Sequence, residues 1–350
     1  MSQLVYSHEE LLRSHDYARP HRVADKRLHG GFDEHDHYLP PRALVRAPAI
    51  EAWLQALRAR GGDLMAADAS LLEGIRYPSE AQMKLLIQEG LGQFFWNTLT
   101  ITGLIEGRGR ILADMHFPDL QGAIWEDISE MGVGHLNKGL LFAHGIDEGG
   151  EPHKGIGGHD VMWFALRDLA YGDVDYPEPE VPERITRPDD LQGEVREIDA
   201  QYQPALSMLL NLLLIEFRAE LGFRFSETLL RDPALFVGRR EQAEEAALIV
   251  GRIRADEEIH VRSLRLYLGE LRQLTFRTRD GGRKPGTELI DPFWERIVHW
   301  ATVEQPKLAV VRERALMPPR ILAHPGGEAE GRRVLAAFQA LDEVGNPDDN

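Results

Sequence analysis

Two stretches of the chain place acidic side chains inside apolar helical runs at a common spacing. Glu89 is followed after 41 residues by Glu130, and Glu216 is followed after 41 residues by Glu257. The second stretch ends in Asp256-Glu257-Glu258-Ile259-His260, so an imidazole stands about one helical turn past Glu257. A carboxylate in an apolar stripe is costly unless a cation or a hydrogen-bond donor pairs with it. Carboxylates grouped with imidazole form the donor set that hard and borderline cations such as Fe2+ and Mn2+ favour. The chemistry suggested is metal binding, with bridging carboxylates and open coordination positions that could activate O2.

The helical faces test this pattern. Glu89 has Leu85 and Leu86 one turn before it and Trp96 two turns after it. Glu216 follows Leu209, Leu212 and Leu213 and precedes Phe223, and Glu257 and His260 lie on the stripe Val250, Ile253, Leu264, Tyr267. Glu130 sits on a more polar face with Glu126, Asp127, Val133 and Asn137. Gln93 and Glu220, one turn past Glu89 and Glu216, read either as partners behind the ligands or as the polar layer of a bundle.

Asp256-Glu257-x-x-His260 with the in-phase glutamates resembles the ferritin-like di-iron (or di-manganese) carboxylate superfamily, over roughly residues 79–272. The resemblance implies a four-helix bundle in two helix pairs joined by a long crossover. It assigns Glu89, Glu130, Glu216, Glu257 and His260 as metal ligands, with Asp256 hydrogen-bonded behind a ligand histidine. The pattern would put a histidine three residues after Glu130, where this chain has Val133. His135 is the expected substitute, although five residues turn a helix by about 500° and point it ~140° away from Glu130. A π-bulge around Gly132-Val133-Gly134 would reduce that mismatch; His116, Asn137 or a degenerate metal position are the alternatives. The implied cofactors are two irons, or Fe/Mn or Mn/Mn. The implied activity is O2-dependent oxidation of a small organic substrate, compatible with an external electron donor. A ferroxidase or iron-binding protein, and a helical scaffold without metal, are the competing readings.

Several elements must position these groups. Pro48 starts a helix near residues 49–60, and residues 67–74 form a further turn. Ser79 and Gln82 form a capping-box pattern that opens a long helix over about 80–106. A second helix is expected over about 122–144, weakened by Gly132, Gly134 and Gly139. His144, His153 and His159 flank a glycine-rich segment (145–158) with Asp147, Glu148, Glu151 and Asp160, which reads as a solvated loop or as a lid over the bundle. A short apolar helix follows at about 161–171. Residues 173–195 are acidic and proline-rich and read as a linker or crossover. Helices are expected over about 203–230 and 239–274, with further ones near 292–303 and 331–344. The architecture expected is all-α: an N-terminal extension (1–78), the bundle (79–272) and a C-terminal helical extension (273–350). Alternating apolar patterns long enough for a sheet are not evident.

Bulk properties narrow the function. With 350 residues and no cysteine, the chain can bury a large core, and Cys-ligated zinc, iron–sulfur clusters and thiol nucleophiles are excluded. A net charge of −17 disfavours nucleic acid as a partner. No run approaches the ~18 apolar residues of a membrane span, and the N-terminus lacks the apolar core of a signal peptide, so a cytoplasmic protein is expected. A homodimer is compatible with the sequence. His35-Asp36-His37 is an H-x-H pattern of the kind that can bind zinc, more often a polar turn when it lies in a loop without partners, and Arg252, Arg254, Arg262 and Arg265 read as a solvated face or a contact for an anionic substrate or for the acidic linker. Phosphate-loop, nucleotide-fold and nucleophile-elbow motifs are absent.

Overall fold

Ser79 accepts a hydrogen bond from the Gln82 amide while the Gln82 side chain accepts from the Ser79 amide, closing the capping box that the sequence predicts. The helix it opens is shorter than expected. In the computed structural model, which describes residues 4–73, 76–183 and 195–344, this helix spans Glu80–Gln88 and a new one begins at Gln93. Gly90, at φ +79°, takes the left-handed position that ends a helix and that glycine occupies at little cost.

The described residues are mostly helical. The helices are α1 (His8–Leu11), α2 (Ala43–Ala59), α3 (Glu80–Gln88), α4 (Gln93–Gly109), α5 (Leu140–Gly149), α6 (His159–Tyr171), α7 (Gln203–Arg231), α8 (Arg240–Gln273), α9 (Gly286–His299), α10 (Gln305–Leu322) and α11 (Glu328–Val344). The two longest, α7 and α8, fall close to their predicted limits and pack along each other; α6 packs on both α8 and α4. The connection from α6 to α7 occupies the predicted crossover, of which residues 184–194 lie outside the described ones. No helix among the described residues is long and apolar enough to cross a membrane.

Two further expectations fail. The helix predicted over 122–144 is replaced by 3₁₀ turns at Leu120–Gly122 and Gly132–Lys138, and α5 begins only at Leu140. Glycines at 132, 134 and 139 supply too little helix propensity to carry a continuous helix through this segment, and Gly139 sits at φ +120°. A small antiparallel sheet, β1 (Arg19–Val23), β2 (Lys26–Phe32) and β3 (Tyr38–Leu39), forms where no strand pattern is evident. Its strands are short, and β2 buries both faces, so it carries no polar–apolar alternation to read. A second hairpin pairs β4 (Thr275–Arg277) with β5 (Arg283–Pro285).

The apolar core is divided into two blocks. One contains Leu206, Leu210 and Phe217 of α7 with Leu264, Leu268 and Leu271 of α8, packed against α2 and α9. The other contains Phe223 and Leu230 of α7 with Ala246, Ile249 and Ile253 of α8, packed against α4, α6 and α11. Between the blocks α8 presents Asp256, Glu257, His260 and Ser263, all buried. The polar layer is therefore sealed above and below by close-packed hydrocarbon.

The loop from α5 to α6 is fixed against that layer. Gly157 and β2 exchange main-chain hydrogen bonds, His29 N to Gly157 O at 2.8 Å and Gly157 N to Arg27 O at 2.9 Å. Gly150 lies at φ 67°, ψ −162°, and a Cβ there would stand 2.4 Å from the Gly158 nitrogen. Gly150→Ala should therefore cost about 2 kcal/mol or more of unfolding free energy, through backbone strain and collision. A denaturant midpoint equal to that of the unaltered chain would show that this loop is not rigidly held.

Candidate metal centre

Seven buried side chains converge between the two core blocks. α4 supplies Glu106, α5 supplies His144 and Glu148, α6 supplies His159 at its first residue, α7 supplies Glu216, and α8 supplies Glu257 and His260. They form two groups, Glu106–Glu148–His159–Glu257 and His144–Glu148–Glu216–His260, with donor atoms within 4.8 Å of one another in each. Glu148 belongs to both. Donor atoms at such separations can all reach a common ion at ordinary bond lengths of about 2 Å.

Local structure accounts for each placement. His144 and Glu148 are four residues apart on α5 and so share a face. Glu257 and His260 do the same at three residues on α8. Glu148 packs its side chain onto Gly109 at the end of α4, where a Cβ would stand 2.6 Å from the Glu148 Cγ. His159 is aimed by the tight loop described above, since Gly158 is the residue that enters α6.

The imidazoles are oriented from behind. His260 Nε2 donates to Asp147 Oδ2 at 3.0 Å, which turns Nδ1 toward Glu257 (2.7 Å) and Glu148 (3.4 Å). Asp147 is fully buried and is also held by Arg42, through Nε at 3.1 Å, and by Arg46, through Nη2 at 2.7 Å. His159 Nε2 donates to Asp256 Oδ2 at 3.3 Å, so its Nδ1 faces Glu257 (3.0 Å), Glu148 (3.5 Å) and Glu106 (3.6 Å). Asp256 also accepts from His29 Nε2 at 3.0 Å and from the Tyr38 hydroxyl at 2.9 Å. His144 stacks on His260 with ring centroids 3.7 Å apart and turns Nε2 to Glu216 (2.9 Å) and Glu148 (3.3 Å). A carboxylate behind an inward-facing histidine is a usual way of fixing which nitrogen would stay free for a metal.

Two of the inward nitrogens, His144 Nε2 and His159 Nδ1, are buried without hydrogen-bond geometry to any partner despite the carboxylates around them. Such orphaned atoms are costly unless something else satisfies them. The charge inventory points the same way. Arg42 and Arg46 match the two buried aspartates of the layer in number, leaving its four glutamates, whose charge two dications would balance.

Protons take the place of that charge in the metal-free site. Burial and the nearby Glu148 push Glu106 well above the ordinary carboxyl range, and burial with Glu257 pushes Glu216 up to about 7. Burial opposes a charge on His159 and His260, but Glu257 and its neighbours outweigh it and hold both well above the ordinary imidazole value. His144 is also held up, against burial and His260, by Glu148 and Glu216. Burial opposes ionisation of Glu148, yet the surrounding imidazoles hold it well below its ordinary value.

The sequence-predicted ligands divide. Glu216, Glu257 and His260 lie in the cluster with Asp256 behind it. Glu89 does not. It ends α3, where its carboxylate pairs with Arg333 of α11 and its carbonyl accepts from His324 Nε2 at 2.6 Å. The break at Gly90 turns Glu89 out of line with α4, and Glu106, further along, takes the inward position. Glu130 is exposed because the helix expected to bury it does not form. His135 is buried but donates Nδ1 to Met131 O at 2.8 Å and packs 4.9 Å from the Trp53 ring, away from the cluster. Of the alternatives, His116 is exposed and Asn137 bonds the Phe117 backbone. Glu220 pairs with Arg254 at 2.7 Å on the half-buried side of α7, and Gln93 is the half-buried first residue of α4.

Glu106, His144, Glu148 and His159 are the residues sequence reasoning missed. The His144-x-x-x-Glu148 pair carries a signal at helical spacing, and Glu106 continues the stripe of Leu99 and Gly103. The arginines on α8 are taken up by neighbours. Arg254 binds Glu220 and Glu227, Arg262 binds Glu51, Arg252 binds Glu245, and Arg265 donates to Met65 O. The His35–His37 segment is an exposed turn in which His37 pairs with Asp33.

The metal-free protein should weaken as pH rises. A group whose pKa is raised by folding contributes fully below its unfolded value and loses that contribution as pH passes its folded value. For Glu216 that window runs from 4.5 to about 7, and Glu106, His159 and His260 extend it upward. Glu148 acts oppositely, with its contribution lost below 4.5. The urea midpoint of metal-stripped protein should accordingly be higher at about pH 5.5 than at about pH 7.5. A midpoint that is flat or rising over this interval would contradict the assigned protonation.

No family model, no curated protein and no solved structure matches the chain.

Proposed function

We propose that the chain is a carboxylate-bridged dimetal oxidoreductase of the ferritin-like type, oxidising a small organic substrate with O2. The observation that carries this reading is the pair of buried ligand groups joined through Glu148. Both contain carboxylates and imidazole and no thiolate, the donor set favoured by iron and manganese. In the ferritin-like scheme α4 and α7 each give one glutamate, and α8 gives Glu257-x-x-His260. The remaining contribution would come from the interrupted pair α5–α6, through His144, Glu148 and His159 rather than through one continuous helix.

Two divalent ions bound there would supply electrons for O2 reduction and coordination positions for O2. The residues of the chain would do the rest. Glu148, which belongs to both groups, would help hold each ion, and Glu257 contacts both His159 and His260. Asp147 and Asp256 would keep the proton of each ligand imidazole on Nε2, leaving Nδ1 to bind. Tyr38 and His29 donate to Asp256, and His159 with His29 holds its carboxyl below the ordinary range against burial. The two core blocks would exclude bulk water, which strengthens every charge interaction in the layer.

Metal stripping followed by anaerobic loading with Fe2+ or Mn2+ should leave about two ions per chain. Glu148→Ala should reduce this to one or fewer, because it removes the ligand both groups share. Addition of O2 to the Fe2+ form should give O2 uptake and a transient visible absorption band. Stoichiometric metal without O2 uptake would retain the metal site and reject the oxidase. A hollow multimer retaining many irons per chain would favour iron storage. Metal content near zero under every loading condition would reject both and leave a helical scaffold.

A further inference from the structure

A second built feature lies on the other side of α7. Arg218, Leu221, Phe225 and Thr228 recur at three and four residues along this helix and line a groove of about 750 Å³. Arg218 is roughly 200° around the helix from Glu216, so the groove and the metal layer are on opposite faces of α7. Its other walls come from the segment before α3, with Leu72, Arg76 and Tyr77, and from α10, with Ala309 and Val310.

Three guanidiniums reach this groove, in different states. Arg224 is matched by Glu73 at 3.3 Å. Arg218 donates to Gln305 Oε1 at 3.1 Å and lies 5.0 Å over the Trp300 ring. Arg76 lies 3.6 Å over the face of Phe225, and among the described residues it makes no ion pair. Desolvation holds Arg218 down to about 10, whereas Arg76, stacked on Phe225, is exposed to solvent along the open side. A cation stacked on an aromatic face beside hydrocarbon is suited to a ligand that brings both an anion and an apolar body. The acids at the rim, Glu73 and Glu80, oppose a ligand with several negative charges.

We propose that this groove binds an organic monoanion with an apolar body, its carboxylate held by Arg76 and its body laid along Leu221, Phe225 and Val310. The site is separate from the metal layer and does not depend on it. Planar guanidiniums suit a carboxylate, which they can engage through paired N–H donors. Ala309 and Val310 on α10 cover the body of the ligand from the far side.

Calorimetric titration of the full chain with octanoate, octanol and inorganic phosphate tests this, on metal-free and Mn2+-loaded protein. Octanoate should bind saturably with the same affinity in both forms, while octanol and phosphate bind at least tenfold more weakly. Arg76→Met should weaken octanoate by about tenfold or more, the usual effect of losing a charged hydrogen bond. Ala309→Trp, at an exposed position of α10, should block the groove and abolish octanoate binding without changing the metal content. Absence of saturable octanoate binding would overturn the proposal. Octanol or phosphate binding as well as octanoate would overturn it by removing the need for charge or for the apolar body. Octanoate binding only to the Mn2+-loaded form would place the carboxylate at the metals and overturn it as well. Failure of the metal reading, with zero metal bound, would leave the octanoate result unaffected.

Discussion

The costliest feature of this molecule is the placing of six carboxylates within one layer of a hydrocarbon interior. Moving a single carboxylate from water into a low-dielectric core costs several kcal/mol even after relaxation, so the layer is stable only with compensating positive charge. The chain supplies part of that charge covalently. Arg42 and Arg46 hold Asp147, while His29, Tyr38 and His159 all donate hydrogen bonds to Oδ2 of Asp256 and leave its Oδ1 without a partner among the described residues. For the four glutamates the neighbours are imidazoles, and in the metal-free site protons raise the positive charge of those imidazoles and neutralise Glu106 and Glu216. Under the proposed function, dications would meet the electrostatic demand that protons meet in their absence. Metal binding and proton release must be coupled in such a site.

That demand explains features of the fold that would otherwise be liabilities. The break between α5 and α6 interrupts a helix inside the protein, yet it lets one segment present His144 and Glu148 from a helix end and His159 from the following helix start. The N-terminal sheet is short, but it braces the loop that aims His159 through the Gly157 hydrogen bonds and reaches the layer with His29 and Tyr38. The two hydrophobic blocks on either side of the layer fix the register of α7 against α8, so Glu216 and Glu257 meet at one level. Rigid supports of this kind hold ligand geometry more firmly than a surface loop could.

Much of the scaffold was legible in the sequence, and the reasons it was not all legible are local. α7 and α8 carry long apolar stripes with few interruptions, so periodicity located them and marked Glu216, Glu257 and His260 as anomalous acids and imidazole on apolar faces. Glu89 misled because its stripe belongs to a helix that ends at Gln88, and Gly90 decides this through a backbone angle that periodicity does not register. The equal spacing of 41 residues pointed to Glu130, which lies in a segment too rich in glycine to be helical. Composition makes the segment around Gly145, Gly149 and Gly150 read as a solvated loop or as a lid. Its glycines instead permit close packing against Ala113, Arg110 and the 156–158 loop, and that closeness brings Glu148 inside. Tertiary packing overrode local composition there. A helical His-x-x-x-Glu pair was the one signal in the sequence that pointed the other way.

The most direct test of the central claim is an X-ray structure of Mn2+- or Fe2+-loaded protein with anomalous difference maps recorded at the metal edge. Two peaks are predicted, one among Glu106, Glu148, His159 and Glu257 and one among His144, Glu148, Glu216 and His260, with the Glu148 carboxylate touching both. Maps without peaks in this layer, with the seven side chains closed into proton-bridged pairs at saturating metal, would contradict the account.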